Sequence, residues 1–338
     1  MLIIFRIVIV ITLLSSSILN DLIGQADDSV RYRIMFYNVE NLFDTVNDSL
    51  TADDDFLPDG LMRWNYSRYL KKINSLYRTI IAAGEWEPPP VIAMCEIENK
   101  KVLKDLIFNT YLSNYKYDII HEESPDQRGI DVCLIYNREK LSLISYRYLK
   151  PSLEDNKDFR SRSVLYAKFL LKYDTLHMIV NHWPSRRGGV LAGADLRNII
   201  SGMVTGLCDS ITSACNGKII LCGDFNSAPY DTELSFLTGN SSASLINLSG
   251  MLSSNETGTY RYRGHWEMLD QFIVSESLLS GEVGLFTSFE NLEILNKAFL
   301  LEKDPVYPGY TPFSTYKGYR YHGGFSDHLP VLLDLFIR

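Results

Sequence analysis

Lys218-Ile219-Ile220-Leu221-Cys222-Gly223-Asp224-Phe225-Asn226 sets a short apolar, β-branched run against a turn that carries a carboxylate and a carboxamide. A run of that length, stopped by glycine, suits a buried strand better than a helix. Asp224 and Asn226 then stand at the strand's exit, on the rim of a sheet. Glycine, aspartate and asparagine are also turn formers, so taken alone the segment reads equally well as a plain turn.

The same arrangement recurs on both sides of it. Residues 34–37 are followed at once by Asn38-Val39-Glu40-Asn41, residues 91–95 by Glu96-Ile97-Glu98-Asn99, and residues 176–180 by Asn181-His182-Trp183. Toward the C-terminus the order reverses. Asp270 precedes the run 271–274, and Ser326-Asp327-His328 precedes 329–337. The exit of one strand and the entry of an antiparallel neighbour lie on the same edge of a sheet. If the last two strands run opposite to the first four, all six polar clusters converge on one rim. Residues 132–136 add a further strand. Apolar residues at helical spacing predict helices over 66–83, 101–108 and 194–208, and helices alternating with strands predict an α/β or α+β layered domain. There is no internal repeat and no low-complexity segment.

The 338 residues carry a formal net charge of −8 with 46% hydrophobic residues, an ordinary globular balance. Net acidity disfavours a protein that coats nucleic acid by charge alone, but not an enzyme that meets phosphate through a local cationic site. Residues 3–14 are apolar except for Arg6 and Thr12, and Ala26 precedes Asp27-Asp28. A run of about 12 is short for a membrane span of roughly 20 and suits a signal peptide. An uncleaved N-terminal anchor is the alternative. The expectation is an export signal over residues 1–26, a secreted or periplasmic protein, and a mature chain without a membrane span. Cys95, Cys133 and Cys222 lie in strand-like runs and read as small buried hydrophobes. Cys208 and Cys215 are free to pair, though nothing demands it, and no cysteine spacing suggests zinc. Residues 51–64, acidic and with a Pro-Asp-Gly turn, read as a solvated loop.

Asn38, Glu96, His182, Asp224, Asn226, Asp270, Asp327 and His328 form an oxygen-and-imidazole set without thiolate. That set suits Mg²⁺ or Mn²⁺ better than Zn²⁺. Phosphoester hydrolysis needs a carboxylate to orient water, positive charge for the developing oxyanions, and a metal or acid at the leaving oxygen. Each residue also has a plain structural role open to it. Glu96 can cap a helix, His182 can simply pack, and His328 can sit solvated in a capped loop.

The ordered set resembles the endonuclease/exonuclease/phosphatase superfamily. Residues 34–44 are similar to its opening motif, Cys95-Glu96 to its glutamate motif, and Asn181-His182-Trp183-Pro184-Ser185 to its histidine motif. Gly223-Asp224-Phe225-Asn226 and Ser326-Asp327-His328-Leu329-Pro330 are similar to its two later signatures. The resemblance implies a single catalytic domain over 27–338 with an α/β four-layer sandwich, two mixed β-sheets packed face to face and helices outside. It implies Glu96 as the main metal carboxylate with Asn38 beside it and Asp327 ligating or near the metal. Asp224 would activate water, and Asn226 would hold Asp224 or the phosphate. His328, oriented by Asp270, would contact a non-bridging oxygen, and His182 would support the phosphate or leaving oxygen. Arg128-Gly129-Ile130-Asp131 resembles a subgroup of secreted bacterial members, which makes Arg128 either a phosphate clamp or a structural salt bridge. Two departures stand out: Glu40 where some nucleases carry aspartate, and Cys95 in place of glutamine.

The function so implied is divalent-metal-dependent phosphoester hydrolysis, with nucleic acid as the leading expected substrate. A phosphatase or lipid phosphodiesterase of the same superfamily is the alternative, and a non-catalytic binding module is disfavoured by the completeness of the set. Arg186-Arg187-Gly188-Gly189 and Arg261-Tyr262-Arg263-Gly264-His265-Trp266 pair charge with aromatic rings, which suits single-stranded nucleic acid or is ordinary surface. No stable protein partner is implied.

Overall fold

The computed structural model describes residues 30–152, 160–186, 193–215, 217–279, 281 and 284–338. The segment read as an export signal, residues 1–26, lies outside them. The strands of the two large sheets are β1 (Val30–Leu42), β2 (Val91–Ile97), β3 (Tyr117–Ile120), β4 (Asp131–Asn137), β5 (Ser142–Leu149), β6 (Val164–Leu171), β7 (Asp174–His182), β8 (Lys218–Asp224), β9 (Leu245–Asn247), β10 (Asp270–Ser275), β11 (Leu285–Phe286), β12 (Leu292–Ile294) and β13 (Val331–Ile337). The helices are α1 (Tyr66–Gly84), α2 (Lys100–Phe108), α3 (Ala194–Ala214) and α4 (Thr232–Asn240).

One sheet runs β11-β13-β1-β2-β4-β3, with β12 also on β13, and the other runs β5-β6-β7-β8-β10-β9. Both are mixed. β1 and β2 are parallel, as are β7 and β8, and the remaining pairs are antiparallel. A parallel pair needs a crossover; α1 lies between β1 and β2 in the chain, and α3 between β7 and β8.

Side-chain alternation builds the layers. In β1, Ile34 and Phe36 enter a core shared with Leu165, Ala167 and Met178 of the other sheet. Their neighbours Met35 and Tyr37 face the opposite way, into a core with Ile73, Leu76 and Ile80 of α1. On the second sheet, Ile179 and Leu221 pack against Ile200 and Val204 of α3. The order is therefore helix, sheet, sheet, helix. Each fully buried aliphatic or aromatic side chain contributes roughly 1.5–3 kcal/mol. A strand buried on both faces must read as a continuous apolar run, which is why β1, β2 and β8 were legible in the sequence.

One question left open by the sequence is answered, and one expectation needs correction. Cys208 and Cys215 are both free. One lies in α3 and the other just past its end, about two turns or roughly 10 Å along the axis, too far for a disulfide. The acidic stretch 51–64 is not simply solvated. Trp64 is fully buried and donates to the Phe43 carbonyl, Phe56 stacks on Phe43, and Asp53 is buried with its carboxylate accepting from the Asp48 amide.

His177 of β7 is buried, with Nδ1 2.8 Å from the Tyr166 hydroxyl. Burial, then Lys168, lowers its pKa from 6.5 to about 4. The folded value is thus below the unfolded one. The stability it contributes is complete above pH 6.5 and is lost as pH falls through about 4. The His177→Gln variant, which keeps a partner for Tyr166, should lose less stability across that window than the parent. Urea midpoints measured from pH 7 to 4 decide it; parallel curves would remove His177 from the acid response.

Candidate active site

The register brings the polar strand ends together. Asn38 lies opposite Cys95 on β2, His182 opposite Asp224, and Asp224 opposite Asp270. Because β10 is antiparallel to β8, and β13 antiparallel to β1, the late clusters arrive at the same rim as the early ones. The two sheets are joined there by the Asn38 amide, which donates to Asp224 Oδ2 at 3.0 Å. The result is a cavity of about 420 Å³. Of the nine residues singled out in the sequence, all but Asp270 line it.

The chain bends sharply to aim these side chains. Glu40, Asn41, Glu96 and Asn226 all have φ between 48° and 63°, the left-handed region that non-glycine residues avoid. Register shifts interrupt the ladder between Asn38 and Leu42 and between Cys95 and Ile97, and such bulges re-aim a side chain at a strand end. Gly223 is required by close approach, since a Cβ there would lie 2.4 Å from the Asn181 carbonyl oxygen.

Asp224 is held at both oxygens. Oδ1 accepts the Asn226 backbone amide at 2.9 Å and Oδ2 accepts Asn38. The Asn226 side chain is engaged elsewhere, donating to the Trp183 carbonyl at 2.9 Å. It is the Asn226 backbone amide that fixes Asp224, while its side chain stays on the cavity lining. Burial, then Asp270, pushes the Asp224 carboxyl up to about 7 against the opposing charge of His328.

The surroundings of the two histidines push them in opposite directions. His328 Nδ1 lies 2.6 Å from Asp270 Oδ2, and Asp270 is fully buried behind it. Burial works against the imidazolium, but Asp270, by charge and hydrogen bond, raises its pKa well above 6.5, with Asp327 and Asp224 adding to it. His182 is lowered well below 6.5, by burial first and then by Arg162 and Arg128. The neutral imidazole is thereby favoured, with Nε2 3.7 Å from Asp224 Oδ2 and 3.9 Å from Glu96 Oε1.

Arg128 donates to the Asn41 amide oxygen at 2.6 Å, and that contact leaves its charge available to the cavity. Arg162, which the sequence reading missed, also lines the cavity and is held by Asp126 and the Trp183 carbonyl. The signal was present: Arg162 precedes β6, which is antiparallel to β7, so it enters on the same rim. Tyr260, whose ring lies 4.9 Å from that of His328 and which the sequence reading missed, forms part of the wall together with Tyr262 of the 261–266 stretch. Glu40 turns out of the cavity. Its carboxylate accepts the Thr315 and Tyr316 amides at 2.6 and 2.9 Å.

Arg261, which the sequence left open as a nucleic-acid contact or ordinary surface, is consumed internally. Its guanidinium donates to the carbonyls of Gly264, Pro308 and Tyr310 and pairs with Asp304. Arg186 pairs with Asp231 and donates to the Asn226 carbonyl. Residues 187–189 of that basic stretch lie outside the described residues.

The donor chemistry fits a hard divalent cation. Glu96 accepts the Asn41 amide and Asp224 accepts two amides, so their charges are hydrogen-bonded but not neutralised by those partners. Asp327 faces the same charge. Burial and then Glu96 raise its carboxyl, with His328 and Lys72 opposing. Glu96 and Asp327 would hold the ion, with Asn38 nearby. Asp224, Asp270 and His328 also lie within ligand reach of one another, but the 2.6 Å contact marks His328 and Asp270 as a hydrogen-bonded pair.

Sheet order, shared rim and donor set define a phosphoesterase site. A sequence profile described as the Endonuclease/Exonuclease/phosphatase family matches residues 33–336, and the chain belongs to that family. No curated protein matches it in sequence. Solved structures share the fold. An endonuclease/exonuclease/phosphatase from Bacteroides vulgatus is 15% identical with a TM-score of 0.60, over 91% of this chain and 100% of that one. The Bacteroides thetaiotaomicron mannosyl-6-phosphatase Bt3783 is 15% identical with a TM-score of 0.58, over 90% and 99%. The human Nocturnin catalytic domain is 16% identical with a TM-score of 0.55, over 91% and 96%.

Proposed function

We propose that the chain hydrolyses a phosphoester by in-line attack of water on phosphorus, assisted by Mg²⁺ or Mn²⁺. The observation that carries this is the charged His328–Asp270 pair set beside an Asp224 carboxylate fixed at both oxygens. Asp224 orients the water and takes its proton. His328 donates from Nε2 to a non-bridging oxygen, and its charge grows more favourable as the oxyanions develop. His182, neutral, lies beside Glu96 and Asp224 and supports the phosphate or the leaving oxygen. Arg128 and Arg162 add positive charge. Glu96 and Asp327 would hold the cation, which would supply Lewis-acid stabilisation of the phosphate oxygens.

Two substrate classes fit this chemistry. The confined cavity and the commitment of Arg261 to the 304–310 segment favour a compact phosphoester, a phosphomonoester or a small diester. Tyr260 and Tyr262 on the wall favour the second reading, a nucleic-acid phosphodiester with a base stacked on a ring. Turnover should vanish in excess EDTA and return with Mg²⁺ or Mn²⁺. Sugar phosphates and nucleotides should be cleaved with higher kcat/KM than single-stranded DNA or RNA. Full activity in chelator after metal stripping overturns the cation-assisted mechanism, and preferred internal cleavage of strands overturns the compact substrate.

A further inference from the structure

The ten residues that link β3 to β4 close on a second cluster. Because β3 and β4 pair antiparallel, with Ile120 opposite Leu134, the loop's two ends meet. His121 leaves β3 and Asp131 opens β4, and both are buried. His121 Nε2 stands 3.5 Å from Asp131 Oδ2, and neither atom has a hydrogen-bond partner. The other Asp131 oxygen is already engaged by the Ser124 amide at 2.9 Å. Exposed Glu123 brings a third donor, so that one ligand atom from each residue lies within 4.8 Å of the others. Asp48 adds further negative charge at Glu123.

Two buried polar atoms 3.5 Å apart and without a hydrogen-bond partner are costly, the more so when charged. A cation between them removes that penalty. Two ligands each about 2.1 Å from an ion and about 109° apart are themselves about 3.4 Å apart, which matches the His121–Asp131 separation. One imidazole and two carboxylates favour a borderline transition ion over Mg²⁺ or Ca²⁺.

We propose that His121, Glu123 and Asp131 form a second metal site, distinct from the catalytic cavity, for Zn²⁺ or a similar divalent transition ion. None of the three lines the cavity. The loop they clamp carries Asp126, which holds Arg162, and Arg128, which holds Asn41. Occupancy of this site therefore fixes where both arginines are presented.

The competing arrangement is a proton shared between Glu123 and Asp131. Bound zinc separates the two. The full chain carrying Glu96→Gln, which weakens the catalytic site, is stripped with chelator and reloaded with Zn²⁺. It should retain one equivalent by elemental analysis and win it in competition with a chromophoric chelator. Adding Glu123→Gln or His121→Gln should weaken that binding by about 10–100-fold or more, since even the outer partners of metal ligands contribute that much. Glu123 is exposed, so its variant should remain folded by near-ultraviolet circular dichroism. Unchanged zinc affinity in folded Glu123→Gln and His121→Gln variants, or no retained equivalent in the parent, overturns the site. The catalytic proposal is scored separately, by the Mg²⁺ dependence of turnover.

Discussion

Replacing His328 with glutamine lowers kcat by about 10²-fold or more while the protein stays folded, because one preformed charge is removed from the developing oxyanion. Glutamine is chosen because alanine would leave Asp270 fully buried with neither oxygen paired; its Oδ1 already lacks a partner. Glutamine can donate to Asp270 but carries no charge, so the loss reports electrostatics and not collapse. Asp224→Asn should lose a similar factor. It should also lose about 1–3 kcal/mol of stability, since the two amides that Asp224 accepts can no longer both find an acceptor. The double variant should fall short of the product of the single losses, because both groups serve one phosphorus centre. Single-turnover rates with melting curves decide the matter. Near-parental kcat in a folded single variant cancels that residue's role, and a fully multiplicative double loss cancels the shared centre.

The largest stability effect is expected beneath the site, at Lys72. Its ammonium is buried and donates to Thr315 Oγ1 at 2.5 Å and to the Phe325 carbonyl at 2.6 Å. Burial lowers it to about 8, and Glu40 is the chief opposing charge. Glu40 in turn is raised to about 8 by burial and then Asp327, with Lys72 as the main counterweight. Removing one member of such a buried set leaves the other uncompensated, a loss of about 3–5 kcal/mol. Lys72→Met should therefore lower the free energy of unfolding by that amount, and Glu40→Gln in the same chain should recover part of it. Denaturant titration of the three variants checks both statements. A loss below about 1 kcal/mol for Lys72→Met would mean that the ammonium does not hold the 315–325 segment in place.

The sequence by itself determined the strands that bear the site and the side on which their polar ends emerge. β1, β2, β7, β8, β10 and β13 are buried apolar runs, and a short continuous apolar run bounded by polar residues locates a strand's end without knowledge of its neighbours. The same rule puts Asn38, Glu96, His182, Asp224, Asp270 and His328 at strand ends, and the antiparallel course of β10 and β13, which brings those ends to one rim, is a property of the tertiary structure. The rule stopped where the signal was short or exposed. β3 is four residues long and half-exposed and was not read as a strand, so the closing of His121 onto Asp131 was invisible. Only the tertiary structure decided that Glu40 faces Thr315 and not the cavity, that Arg261 is spent on the 304–310 segment, and that the surroundings favour the charged form of His328 and the neutral form of His182. The sequence fixes neither a side chain's partners nor its burial, and both the pairing and the charge of an ionisable group follow from those two quantities.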